Sequence, residues 1–314
     1  MPADAPRYRM VVADIDGTLL DSSAKITPRV AAAIERARRA GLYFTLATGR
    51  RYVTTKPILE QVALPADEIM STAERSPSHD LRALPPVILQ TGAMVVSADG
   101  DEVLFRNPLP RADARRALVV LVTLGLQPIA YEDRVHEQRL FSGPAERDTR
   151  GARQYLSGNP HLVMRRPYED LLPEGDPLQL AVIGDREPLD AAIPYLTMAR
   201  CRTILSYSAN LDSYFMEVFH KTCNKGHATE LLARRLGFGM DQVVCMGDNW
   251  NDVEMLAMAG CGLAVGNAAP GIAPHARRLA PSNDEHAVAV ILDQILAGEE
   301  PGVPNPAYDV SLRP

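Results

Sequence analysis

Four short, almost continuously apolar runs constrain this chain more than any other feature. They are Tyr8-Arg-Met-Val-Val-Ala13, Leu42-Tyr-Phe-Thr-Leu-Ala47, Val87-Ile-Leu-Gln90 and Gln242-Val-Val-Cys-Met246. A strand with one solvated face alternates apolar and polar residues, whereas a strand covered on both faces is apolar throughout, as in a parallel sheet. Between the first two runs, Pro28 to Ala40 has a helical pattern, with Thr27 as N-cap, Pro28 at the first helical position and Gly41 as the stop. Strand, helix, strand is a βαβ unit. The alternation resumes late, with helical patterns over 227–236 and 252–259 around the fourth run and a further strand over 262–265. The expected fold class is therefore α/β, with a Rossmann-like parallel-sheet core domain.

The middle of the chain reads differently. Val95-Val96 and Val103-Leu-Phe105 flank Asp99-Gly100, a hairpin signal. An amphipathic helix over 111–124 follows. Strand-like segments at 127–131, 161–164, 178–183 and 203–207 then alternate with helical ones at 145–156 and 187–199. This predicts an inserted α+β cap domain. The expected boundaries are 8–93 for the first part of the core, 94–213 for the cap, 214–298 for the second part of the core and 299–314 for a flexible, Pro-rich tail. With 314 residues, two domains also fit the usual allowance of about 150 residues each. The polar stretch 67–86 reads as a long loop.

Composition removes several classes of partner. The formal net charge is -6, and the basic residues are dispersed, so neither nucleic acid nor an anionic membrane surface is an expected partner. No apolar run approaches the roughly 18 residues of a membrane span, and the first nine residues lack the apolar core of a signal peptide. Cys201, Cys223, Cys245 and Cys261 form no C-x-x-C pair and read as small hydrophobes in a reduced, cytoplasmic protein. Monomer and homodimer are both compatible with this reading.

The chemistry lies where the apolar runs end. Asp14-Ile-Asp16-Gly-Thr18 follows the first run, Thr48-Gly49-Arg50 the second, and Gly247-Asp248-Asn249-Trp250-Asn251-Asp252 the fourth. Open α/β sheets bind ligands at the carboxyl ends of their strands, so these segments bring several carboxylates to one edge. Carboxylates crowded together stay ionised when a hard cation sits among them, and oxygen ligands suit Mg2+. Carboxylates, a hydroxyl and a lysine around such a cation fit phosphoryl transfer.

Taken together, Asp14-Ile-Asp16-Gly-Thr18-Leu19, Ala47-Thr48-Gly49-Arg50, Lys225-Gly226 and Gly247-Asp248-x-x-Asn251-Asp252 resemble the four motifs of the haloacid dehalogenase (HAD) superfamily. The interval before Lys225 resembles the Cof-type phosphatase branch, and the likeness runs from about residue 8 to 297. The resemblance implies Mg2+-dependent hydrolysis of a small phosphorylated metabolite through an aspartyl phosphate. It makes Asp14 the nucleophile, Asp16 the general acid/base, Thr48 the hydroxyl on a phosphoryl oxygen and Lys225 the neutralising cation. Asp14, the backbone carbonyl of Asp16 and Asp248 would hold the metal, with Gly49, Arg50, Asn251 and Asp252 in support. A phosphomutase would use the same motifs, and a non-catalytic binding protein could keep the scaffold. Two departures stand out: Thr91-Gly92 replaces the Asn-Gly of many relatives, and Trp250 occupies a place where a small residue is commoner. His220, His227 and the cluster Tyr131, Glu132, Asp133, His136 are further polar candidates.

Overall fold

The structure, a computed structural model, describes residues 7–62, 85–208 and 210–312. Strands β1 (Met10–Ala13) and β2 (Tyr43–Leu46) lie side by side in parallel, with Ala13 opposite Leu46, and both are buried throughout. Between them, helix α1 (Pro28–Arg39) begins where the Thr27 hydroxyl accepts the Val30 N–H. Helix α2 (Tyr52–Val62) follows β2. Then β3 (Val87–Leu89), β4 (Met94–Val96) and β5 (Val103–Arg106) form a small sheet in that order.

The next segment holds helices α3 (Arg111–Thr123), α4 (Arg150–Ser157) and α5 (Arg186–Met198). Its strands are β6 (Pro128–Tyr131), β7 (Leu140–Ser142), β8 (Val163–Arg165), β9 (Gln179–Gly184), β10 (Cys201–Ser208) and β11 (Ser213–His220). They form one sheet in the order β10-β11-β9-β6-β7-β8, mostly antiparallel. Alternate residues supply two cores. Ala130, Leu180, Val182 and Met216 face α3 and α5, while Ile129, Ala181 and Ile183 face α4.

The first sheet is completed by β12 (Val243–Gly247), β13 (Cys261–Ala264), β14 (Arg278–Leu279) and β15 (Val303–Pro304). Its order is β15-β14-β13-β12-β1-β2, parallel except for β15. Helices α6 (Lys225–Arg235) and α7 (Val253–Met258) pack on each other and contribute to one core, and α1 packs against α8 (Ala287–Leu296). The fold is thus α/β, a Rossmann-like parallel-sheet core with an inserted α+β domain.

The chain divides into two compact units, Met1–Phe105 with Asn224–Pro314, and Arg106–Cys223. The inserted segment therefore differs from the expected 94–213 at both ends. At the first, β4 folds back antiparallel on β3, and Ala47 bridges to Ile88, which ties this hairpin to the core. At the second, the residues after 213 continue as β11 between β9 and β10 instead of returning to the core.

Two further expectations are corrected. The helix expected over 145–156 is broken, because the Thr149 hydroxyl accepts the Ala152 N–H and starts α4 afresh behind a single turn at Ala145–Arg147. The tail expected to be flexible from 299 onward is instead fastened. β15 pairs with β14, and the Asn305 amide donates to the carbonyls of Ala273 and Ala276 at 2.7 Å each. Pro and polar content lowers the hydrophobic contribution of such a segment but leaves its backbone free to pair with an open sheet edge. The loop expected over 67–86 lies, up to residue 84, outside the described residues. All four cysteines are buried, and none is in a disulfide. No helix among the described residues is long and apolar enough to cross a membrane.

Candidate active site

The parallel register fixes the edge at which the polar segments emerge. Ala13 is opposite both Met246 and Leu46, so Asp14, Gly247 and Ala47 stand level at one edge of the sheet. The Asp14 N–H donates to the Met246 carbonyl at 3.0 Å. After it the backbone makes one wide turn, closed by Leu19 N–H to Asp14 O and Leu20 N–H to Ile15 O. Gly17 lies within it at φ +78°. A Cβ there would sit 2.5 Å from a carboxylate oxygen of Asp248, so glycine is needed both for the conformation and for the close approach.

Lys225 is the centre of the arrangement. It opens α6, whose N-cap Asn224 accepts the His227 N–H at 2.7 Å, and it is fully buried. Its Nζ donates to Asp14 Oδ1 at 2.5 Å and to Asp252 Oδ1 at 2.6 Å. The other oxygen of Asp252 accepts the N–H groups of Asp248 and Asn249, each at 3.0 Å. Asp252 is thus held on both oxygens, by the lysine and by the turn it caps. Gly247 is required beside it, since a Cβ there would lie 2.5 Å from that of Asp252.

Asp14, Asp248 and Asp252 bring carboxylate oxygens within 4.8 Å of one another. Three carboxylates against one ammonium leave an excess of negative charge in a buried place. The consequence appears in their proton affinities. Burial first, then Asp252 and Asp248, raise Asp14 well above the usual carboxylate range, although Lys225 pulls the other way. Asp248 is pushed up to about 7, by burial and then by Asp252. Burial alone would lower Lys225, but Asp14 and Asp252 outweigh it and raise the lysine. Both oxygens of Asp252 already accept hydrogen bonds from the lysine and its own turn, so Asp14 and Asp248 are the better placed pair to share a divalent cation. Their all-oxygen donor set and surplus charge suit a hard one.

The remaining expected residues are close by. Thr48 is buried, and its hydroxyl oxygen accepts the Arg50 N–H at 3.0 Å, leaving its O–H to donate elsewhere. Its carbonyl accepts the Thr91 N–H at 3.0 Å. Gly49 lies between Thr91 and Asn251, with positions for a Cβ 3.5 Å and 3.6 Å from their side chains. Residues 90–92 all have positive φ, and Gly92 packs so tightly on Asn224 that a Cβ would meet its carbonyl at 2.3 Å. That turn therefore seats the start of α6.

The carboxylate of Asp16 stands apart from the other three. It is exposed and paired with Arg50, whose Nε donates to Oδ2 at 2.7 Å and whose Nη2 donates to Oδ1. The hydrogen bond to Asp16 in turn raises Arg50. This pairing is not legible in the sequence, where Arg50 is expected to support the site.

Other candidates are placed elsewhere. Trp250 is half-exposed and edge-on to His275 at 6.4 Å, against Gly271. His227 is edge-on to Phe105 at 6.0 Å. Within the inserted domain the His220 ring meets Asn107 and Thr222, Glu132 pairs with Arg139, Asp133 with Arg106, and the Tyr131 and Tyr155 hydroxyls are 2.8 Å apart. One functional candidate escaped the sequence reading. Asn267 donates to the carbonyl of Gly17 at 2.8 Å. Its sequence signal is its place three residues past a strand end, at Gly266-Asn267.

A sequence profile for a family described as haloacid dehalogenase-like hydrolases matches residues 11–292. An HMP-PP phosphatase of Serratia proteamaculans (strain 568) is 30% identical over 270 residues, covering 84% of this chain and 85% of that protein. Phosphatase YwpJ of Bacillus subtilis (strain 168) is 24% identical over 318 residues, covering 92% of this chain and 100% of that one. Among solved structures, a sugar phosphatase of HAD subclass IIB superposes with a TM-score of 0.67 and 19% identity, over 90% of this chain and 96% of its own. At that identity the likeness is one of fold.

Proposed function

This chain belongs to the haloacid dehalogenase-like hydrolases and is a phosphatase, and from that premise we propose that it hydrolyses a small phosphate monoester in an Mg2+-dependent reaction through an aspartyl phosphate at Asp14. A sugar phosphate or a phosphorylated cofactor is the proposed substrate class. The observation that carries the reading is Lys225, buried without exposure between Asp14 and Asp252, with Asp248 completing a carboxylate group of surplus charge.

In the first half, a carboxylate oxygen of Asp14 attacks phosphorus and the bond from phosphorus to the leaving oxygen breaks. That oxygen takes a proton from Asp16. In the second half, Asp16 takes a proton from a water whose oxygen attacks phosphorus. The bond to Asp14 breaks, and inorganic phosphate leaves. Lys225 holds Asp14 in place and neutralises charge that would otherwise repel the phosphate. Thr48 donates its free O–H to a phosphoryl oxygen. Mg2+, held by the carboxylates of Asp14 and Asp248 and the carbonyl of Asp16, would supply electrostatic stabilisation of the phosphoryl oxygens. Asp16 does its proton work only after releasing Arg50, which then faces the incoming substrate with an unpaired guanidinium.

Asp14→Asn, assayed with Mg2+ on a panel of phosphorylated metabolites, is expected to lose at least about 1000-fold in kcat with the fold retained. Wild-type rates in that variant would overturn the nucleophile assignment. Release of inorganic phosphate, rather than an isomerised ester, distinguishes hydrolysis from mutase chemistry.

A further inference from the structure

Asp16 and Asp248 sit on two separate turns, and their relation depends on what joins those turns. Gly17 and the Asp248 carboxylate approach to the point where no side chain fits between them. A third segment, the loop after β13, reaches both. The Asn267 Nδ2 donates to the Gly17 carbonyl at 2.8 Å, and two residues on, the Ala269 N–H donates to the Asp248 carbonyl at 2.8 Å. Asn267 is itself held, because its Oδ1 accepts the Asn283 N–H at 2.9 Å. The Asn283 amide then donates to the Leu20 carbonyl at 2.9 Å, and Gly266 N–H donates to Pro281 O at 3.1 Å. In the first turn the carbonyls of Asp14 and Ile15 are used internally. The carbonyls of Gly17 and Leu20 take the two asparagine amides instead.

We infer that Asn267 is a positioning residue: it fixes the Gly17 peptide, and through it Asp16, at the spacing from Asp248 that the cation and the proton transfer require. The inference rests on the function proposed above and deepens it. Nothing in the substrate need touch Asn267. It acts on the Gly17–Thr18 peptide, one residue past Asp16, while Ala269 in the same loop anchors Asp248. Loss of the amide frees one peptide plane of the turn, which misplaces a carboxylate without removing any group that reacts.

The test uses the full chain with Asn267→Ala and Asn267→Asp. The aspartate keeps an oxygen for the Asn283 N–H but has no donor for Gly17, so it separates the two bonds. Both variants are expected to lose about 10- to 100-fold in kcat, with KM within about 2-fold, and to bind Mg2+ about 10-fold more weakly by calorimetry, as loss of an outer support of a metal site does. Amide hydrogen exchange at Leu19 and Leu20 is expected to speed up in both, with melting temperatures close to wild type. The inference is overturned if the aspartate restores kcat and Mg2+ affinity, or if the alanine variant leaves kcat, affinity and exchange unchanged. A loss of rate that merely follows a loss of folded protein overturns it too. Failure of the underlying reading looks different: wild type itself would then turn over no faster than Asp14→Asn, while the exchange measurement would still decide whether Asn267 holds the turn.

Discussion

The two units handle buried charge in opposite ways. In the inserted domain Asp148, with a side chain 1% exposed, is fully answered. Arg165 donates to both its oxygens and Gln127 adds a third bond at 3.1 Å. In the core, Asp14 and Asp252 share Lys225 with Asp248 beside them, and burial together with the neighbouring carboxylates raises Asp14 and Asp248. A matched buried pair can serve the fold alone. An unmatched group of carboxylates destabilises the fold until something positive arrives, so its retention points to a ligand. Buried charge as such is therefore no marker of function here; the imbalance is.

The largest effect expected from breaking this contrast is at Lys225. Lys225→Met leaves the carboxylates facing each other, and should lower the free energy of unfolding by about 3 kcal/mol in urea titrations at neutral pH. Turnover should fall to the level of Asp14→Asn. An unchanged midpoint would mean that the carboxylates do not depend on the lysine.

The second test supplies the missing charge. Asp248 is raised to about 7, so its folded form holds a proton that the unfolded chain gives up near pH 4. Stability is therefore lost as pH rises from about 4 through about 7, where the folded carboxyl is forced to ionise. A divalent cation offsets this loss only where the carboxylate is ionised. Mg2+ at about 100 times its dissociation constant at pH 8 should add about 2.7 kcal/mol there, and the same concentration clearly less at pH 5.5. Equal thermal shifts at the two pH values would remove the proposed link between surplus charge and cation.

The smallest effect is expected where charge is already matched. Arg165→Met unpairs Asp148, but the arginine is about one-third exposed, so solvent screening limits the loss to about 1 kcal/mol. The stabilisation by Mg2+ should be unaltered. A change in it would show that the matched cluster of the inserted domain also serves the cation site.

Much of the core was legible because its signals are local. Double-sided burial makes β1, β2 and β12 apolar throughout, and Thr27, Pro28 and Gly41 bound α1 by their own chemistry. The boundaries of the inserted domain were not legible. The strand Ser213–His220 has the same mixed pattern whether it pairs within one sheet or leads back to another, and only its partners Ser208, Cys201 and Gly184 settle the matter. The tail misled for a related reason: residues 299–314 are rich in Pro and polar groups, and the place of Val303–Pro304 among them is decided by the open edge of β14.

The same division runs through the site. By itself, the sequence determined which residues end the buried strands and hence which side chains emerge at one sheet edge: Asp14, Thr48 and Asp248. That follows from parallel strands in register, a property of short apolar runs. Only the tertiary structure decided how those groups share charge and hydrogen bonds. Asp252 is spent on Lys225 and two amides, Asp16 is held by Arg50, and Asn267 reaches Gly17 across 250 positions of sequence. Hydrogen bonds and Coulomb forces act over a few ångströms in space, and distance along the chain does not measure that space until the fold has formed.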